Sequence, residues 1–352
     1  MREIKRNWLK GITNNKYYYY IKLSLIIFVG IISFLIVYGY TPINPTNDAW
    51  IMAGYDEYDI CQHYCGWIAF RNSQWSFPLG LAKDMAIYDG TYISYTDSIP
   101  WVAIVFKTIR NVLPSTFQYF GLYILGCFIL QGIAAFKIIE LKTTNFLYSL
   151  VGTIILIFSP IFLERSFRHT ALGSQWLILF AIFLWLKNRI SLSMHIYIYI
   201  CFGILMILAI GIHPYFLLLT MIDDCKKKKY ISILFLALIL GITYLAGCVI
   251  GVLGTGVSVS REGYGFYSMN INALINPTSC GNYKWSAFFN VLPQILGNYD
   301  GFNYLGAGVI ILIILVFPLC LIFGNNKEWI KENSVAILLM VICTLFAISN
   351  VV

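Results

Sequence analysis

Charge is what this sequence lacks. Only 11% of its 352 residues are Asp, Glu, Lys or Arg, and 59% are hydrophobic, where a soluble domain carries about a quarter charged residues. Together with a mean hydropathy of +0.75, that shortage excludes an ordinary soluble domain. Histidine is scarcer still, with 4 in the chain. There is no internal repeat and no low-complexity tract, which argues against a solenoid or a disordered linker. No A-x-A-like cleavage site follows the first apolar run, which continues into "IVYGYTPINP", so that run reads as a retained anchor. The 9 cysteines complete no zinc spacing in the loops. Cys127, Cys201, Cys248 and Cys343 fall inside apolar runs, where a thiol is a small hydrophobe. The net charge of +8 does not indicate nucleic acid, because the basic residues sit mainly in short loops between apolar runs.

What is present is a series of apolar runs of roughly 17–25 residues, the length a helix needs to cross a bilayer. They are Ile21–Tyr40, Phe117–Ile139, Phe146–Leu163, Leu172–Leu186, His195–Ile212, Ile231–Leu253, Tyr304–Phe323 and Val335–Val352. The expected fold is all-α: a polytopic transmembrane bundle of about eight full spans plus a broken half-span, forming one integral membrane domain over 1–352. The basic start "MREIKRNWLK" places the N-terminus in the cytoplasm. A single crossing through His195–Ile212 would then leave the lysines of "CKKKKY" outside. Pro214 resolves this by breaking the helix. If the chain turns at His213-Pro214 and returns as a half-span, the lysines lie inside and His213 lies on the outer face.

Two external segments, 41–116 and 254–303, are longer than a connection requires. Their Trp, Tyr, Gly and Pro content predicts folded loops. Within the first, "SIPWVAIVFKTIRNVL" predicts a helix lying in the outer interface, its apolar spacing interrupted by Lys107 and Arg110. The last run, "SVAILLMVICTLFAISNVV", ends without a polar flank, as expected equally of a truncated chain and of natural termination.

Chemistry-bearing residues gather in three clusters. In "DEYDICQHYCGW", a helix would place Asp56, Asp59 and His63 on one face and Cys61 and Cys65 roughly opposite. One helical turn cannot gather all of them around a single metal. Asp59 and His63, beside Gln62 and Trp67, form an acid–imidazole pair suited to general base work, with Asp56 the rival carboxylate. Glu57 reads as solvated, and the two cysteines as packing or an incidental disulfide. In "ERSFRHTALGSQW", Arg165 and His169 share one helical face, and Glu164 and Arg168 another. Two external arginines oppose the positive-inside bias, and arginine's planar fork suits phosphate. An internal partner such as Glu164 is the competing explanation, stronger for one arginine than for two. The third cluster, "REGYGFYSMNINALINP" and "NYDGFNYLGAG", supplies Arg261 as another phosphate ligand. Its Tyr267, Asn270 and Tyr299 would receive a sugar, as would Gln62, Trp67 and His213.

The segments "YDICQHYCGWIAFRNSQWSFPLG", "TDSIPWVAIVFK", "FQYFGLYILGCFILQG", "RSFRHTALGSQWLIL", "GIHPY", "GFYSMNINALINP" and "NYDGFNYLGAG" together resemble an uncharacterised bacterial family of membrane proteins over roughly 45–350. That family looks like a branch of the GT-C superfamily of polyprenyl-phosphate-sugar-dependent glycosyltransferases. The resemblance implies an acidic catalytic residue in the first external loop, matched here to Asp59 or Asp56. It also implies an inverting reaction, a divalent cation (Mg2+ or Mn2+) in some members, and a soluble external C-terminal domain in many. The expected activity is transfer of a sugar to a glycan, lipid or protein acceptor at the outer face of a bacterial cytoplasmic membrane. Partners are the donor, the acceptor and the bilayer, with no nucleic acid. The alternatives are a lipid-linked-glycan transporter or an accessory subunit of an envelope polysaccharide complex, and, more distantly, an acyltransferase using His63 or His169.

Overall fold

A computed structural model of the chain describes residues 16–53, 59–85, 90–190, 196–220, 229–256, 268–277, 286, 289–290, 303–324 and 326–348. The chain divides into two compact units, Met1–Phe158 with Phe162–Gly256, and Ser159–Ile161 with Val257–Val352.

Helices dominate the first unit. α1 (Lys16–Tyr38) lies along α5 (Phe120–Glu140), which also receives α6 (Phe146–Ile157) and α8 (Trp176–Ile190). α9 (Ile196–Ile210) packs on α8 and on α11 (Lys229–Ile250), and the short α10 (Tyr215–Thr220) touches both α8 and α9. Association between helices in lipid depends on close packing rather than on a hydrophobic drive. Gly30 meets that need, because a Cβ there would lie 3.0 Å from the backbone of Phe128 and Ile129 on α5. The rings of Phe34, Phe128 and Phe162 fill the seam, with centroids 5.6 Å apart for Phe34–Phe128 and 4.7 Å for Phe128–Phe162. Lys22 and Glu140 pair across the opposite end of α1 and α5. The outward faces of α1, with Ile21, Leu25, Phe28 and Ile36 exposed, are apolar, as lipid contact requires.

Among the described residues, four helices are long and apolar enough to cross a membrane: Tyr17–Tyr38, Phe120–Glu140, Thr170–Asn188 and Ile233–Ile250. The bent pair Phe146–Ile157 and Pro160–Arg168 makes a fifth if the two count as one span. These helices make the chain a membrane protein, and the expectation of about eight full spans is corrected to four or five among the described residues. Helix breaks are the physical reason. Phe146–Leu163 bends by 45° ahead of Pro160, as expected where proline removes a backbone donor. α9 holds only 15 residues, about 22 Å at 1.5 Å per residue. The other short apolar helices are Ala307–Phe323 and Ala336–Ile348.

The described residues of 41–116 are folded, as the composition of that segment predicts. It contains α2 (Ala49–Met52), α3 (Ile60–Asn72), a two-residue antiparallel pair of β1 (Leu81–Ala82) with β2 (Thr91–Tyr92), and α4 (Pro100–Thr108). Lys107 does not simply interrupt an interfacial face. It is buried, with its ammonium 2.9 Å from Ser73 Oγ and 3.9 Å from the centre of the Phe70 ring. In the second unit, α12 (Ala307–Phe323) and α13 (Asn326–Ile348) follow a 3-10 turn at Ile271–Leu274. That turn is tied in by Leu305 N–H donating to Leu274 O at 3.1 Å. Most of 254–303 lies outside the described residues.

Candidate functional site

Four segments far apart in sequence converge in the first unit. The first is the start of α3. Asp59 occupies its N-cap position, yet its side chain caps nothing. Its Oδ2 instead approaches His169 Nδ1 at 3.2 Å. One turn later, His63 is 1% exposed, and its Nδ1 faces Thr170 Oγ1 at 3.4 Å. The second is the end of α7 (Pro160–Arg168), whose last turn hands over to His169 through its N–H to Arg165 O at 3.1 Å.

The third segment is the turn into α4. Asp97 and Ile99 carry φ of 51° and 53°, the left-handed region that side chains rarely adopt. A web of hydroxyls holds this turn. Thr96 Oγ1 and Ser98 Oγ are 2.7 Å apart, Ser98 donates to His63 O at 2.6 Å, and the Tyr119 hydroxyl donates to Ser98 O. Gly66 makes room for it, since a Cβ there would lie 2.3 Å from Thr96 Oγ1. Strain of this kind persists only where surrounding structure over-determines it.

The fourth is the break between α9 and α10, where the sequence places it. Trp101 pins the break to α4, its Nε1 donating to Ile207 O at 2.7 Å and its backbone N–H to Gly211 O at 3.0 Å. His213 follows. Its Nδ1 accepts the Tyr215 N–H at 3.3 Å, and its Nε2 stands 3.6 Å from Asp97 Oδ1.

A ligand atom from each of His63, Asp97 and His169 lies within 4.8 Å of the other two. With His213 and Asp59 at the margins, three of the 4 histidines in the chain meet at one place. Residues 27–352 match the family model of a domain of unknown function, DUF6311.

The chain belongs to the DUF6311 family. No curated protein and no solved structure matches it. In this DUF6311 chain, burial sets the electrostatics of the cluster. Burial, then the neighbouring His169 and His213, lowers His63 from 6.5 to about 3. Burial, then His169, lowers His213 to about 4. Asp97 moves the other way, from 3.8 to about 6, through burial and then the Asp59 charge. Two neutral imidazoles and a carboxyl with a near-neutral pKa therefore share one site, a combination characteristic of functional clusters.

The other expected residues fall into distinct places. Arg165 is half-buried one helical turn before His169. Arg168 pairs with Glu164 within its own helix, Nε to Oε1 at 2.7 Å, so an internal partner is present for it. Gln62 is exposed on α3. Trp67 is fully buried, donating to Phe117 O at 2.9 Å and packing edge-on to Tyr119; its indole is a core tie. Cys61 and Cys65 are free thiols with their sulfurs 3.9 Å apart. Asn270 occupies the N-cap position of the 3-10 turn of the second unit without a side-chain capping bond. Asp56, Arg261, Tyr267 and Tyr299 lie outside the described residues.

Asp97 and Thr170 are the participants that sequence reasoning missed. Thr170 gives no signal. Asp97 gives one: a carboxylate three residues ahead of a helix-starting Pro100, immediately before the mostly apolar "SIPWVAIVF".

Proposed function

We propose that this chain is a membrane glycosyltransferase that moves a sugar from a polyprenyl-phosphate donor to an envelope glycan, lipid or protein acceptor. It works at the outer face of a bacterial cytoplasmic membrane, with the N-terminus in the cytoplasm. Asp59 takes the proton of the acceptor hydroxyl as that oxygen bonds to the anomeric carbon. The bond from that carbon to the phosphate oxygen breaks, and the electron pair leaves with the polyprenyl phosphate. Arg165 and His169 stand near the phosphate, where the Arg165 guanidinium stabilises the developing charge.

The observation that carries this reading is the approach of Asp59 to His169 at 3.2 Å, which brings the acidic cluster and the Arg/His cluster to one place. Asp59 suits the base role by access, since 51% of its side chain remains exposed and a base must come within hydrogen-bond reach of the acceptor. A single specific feature, the helix break ahead of Pro214 with His213 beside it, supports a second reading as a lipid-linked-glycan transporter or accessory subunit, because broken helices are how transporters build their binding sites.

The test compares wild type with Asp59→Asn in a strain lacking the gene, at equal membrane levels, with envelope glycans read by mass spectrometry. Wild type is expected to restore a hexose-sized mass that the variant makes at least about 100-fold more slowly, the lower end for loss of a general base. Equal restoration by both would remove Asp59 as the base and favour the transport reading.

A further inference from the structure

We infer that His63, Asp97 and His169 form a binding site for a nitrogen-preferring divalent transition metal, with Zn2+ the best match. This stands whether or not the reaction is sugar transfer.

Geometry is the first ground. The three candidate ligand atoms lie within 4.8 Å of one another. Two ligands on a tetrahedral zinc with bonds of about 2.1 Å stand about 3.4 Å apart, so side-chain movements of up to roughly an ångström complete the set. Three protein ligands with an open position is the arrangement of zinc centres that keep an exchangeable oxygen ligand, water or phosphate, in the remaining place.

The second ground is how the ligands are held. A metal-bound imidazole typically has its other ring nitrogen fixed by an outer partner. Here His169 Nδ1 is engaged by Asp59 at 3.2 Å, and His63 Nδ1 faces Thr170 Oγ1 at 3.4 Å. Asp97 is steadied in the same way by His213, whose Nδ1 accepts a backbone N–H and so leaves the proton on Nε2, 3.6 Å from Asp97 Oδ1. Each of the three candidate ligands thus has a second polar group close by. The strained φ of 51° at Asp97 places its carboxylate there against local preference.

The third ground is donor chemistry. Two imidazoles and one carboxylate suit zinc and its transition-metal neighbours, whereas Mg2+ prefers oxygen throughout. Of the Mg2+ or Mn2+ that the resemblance implies, Mg2+ does not fit this set.

The experiment uses full-length protein in detergent with its affinity tag removed. The protein is stripped by chelator, offered Zn2+ or Mg2+ separately, desalted and assayed for metal by mass spectrometry. Stoichiometric Zn2+ with no retained Mg2+ is expected, and Co2+ in its place should give visible d–d bands. Asp59→Asn, which removes an outer partner but no ligand, should weaken Zn2+ binding about 10–100-fold, and His63→Ala should weaken it further. Should His63→Ala fail to fold, the wild-type Zn2+/Mg2+ contrast and the Co2+ spectrum still decide. Wild type that retains no Zn2+, or retains Mg2+ equally, overturns the site. Neither measurement contains donor or acceptor, so a failed glycan assay leaves the metal result standing, and an absent metal leaves the glycan result standing.

Discussion

Two polar clusters sit in the first unit, and they differ in where their hydrogen-bonding capacity goes. At the C-terminal end of α3, Arg71 donates to the carbonyls of Arg110, Leu113, Pro114 and Ser115, and Arg110 donates back to those of Arg71 and Ser73. Lys107 completes the lock through Ser73, Gln74 and the Phe70 ring. The partners of these three cations are backbone carbonyls, hydroxyl and ring faces of the chain itself. At the N-terminal end of the same helix, His63, Asp97 and His169 bring a ligand atom each within 4.8 Å of the other two, with Thr170, His213 and Asp59 close beside them. A cluster whose donors end on its own backbone is structural. One whose ligand atoms face each other has capacity left for something from outside. Burial alone does not separate the two, since Lys107 and His63 are both 1% exposed.

Breaking the first cluster should have the larger effect on stability. Arg71→Met strips four carbonyls of a charged donor, and each carbonyl left buried without a partner costs roughly 1–3 kcal/mol. A loss of about 3 kcal/mol or more is expected in detergent denaturation, with faster hydrogen exchange across 110–115. A loss below about 1 kcal/mol, typical of an ordinary point change, would show that the carbonyls find other donors. The opposite signature belongs to Asp97→Asn. Asn keeps the shape, tolerates the left-handed backbone and removes the cost of enclosing a carboxylate charge, so the protein should be no less stable at neutral pH. Metal retention and glycan transfer should both fall. If Asp97→Asn unfolds the protein as Arg71→Met does, the contrast between the clusters collapses.

The sequence announces the cluster only in part, for physical reasons. Asp59, His63, Arg165, His169 and His213 draw notice because charge and imidazole are scarce in an apolar chain, and the break at Pro214 follows from the missing backbone donor. The folded character of 41–116 is legible in its aromatic content. Asp97 was not singled out, because what makes it special is a positive φ fixed by Thr96, Ser98 and Gly66, which no local pattern encodes. Trp67 looked like a sugar platform and is a core tie, since an aromatic beside polar residues reads alike in either role. The span count was overestimated because hydropathy measures the length of an apolar run and not whether one continuous helix covers it. At Phe158–Pro160 and after Ile210, helices stop inside the run.

The smallest effect sharpens the comparison from the side of pH, in chelated, metal-free protein. His63 and His213 have folded values of about 3 and 4 against 6.5. Their contributions to stability are thus present above pH 6.5 and are lost as pH falls toward those values, because the unfolded chain takes up protons that the fold refuses. Asp97, raised from 3.8 to about 6, acts oppositely: its contribution is present below its unfolded value and is lost as pH rises through about 6. Between pH 6 and 4 the two histidines oppose one carboxyl, so acidification should lower the melting temperature with a net slope of about one proton. Asp97→Asn removes the opposing group and should steepen that slope, whereas His63→Gln should flatten it. His169 and Asp59 remain in every variant, so differences between profiles isolate the substituted group. An Asp97→Asn profile parallel to wild type would mean that its carboxyl is solvated rather than enclosed, and the site would lose the member that most separates it from the carbonyl-bound cations at the other end of α3.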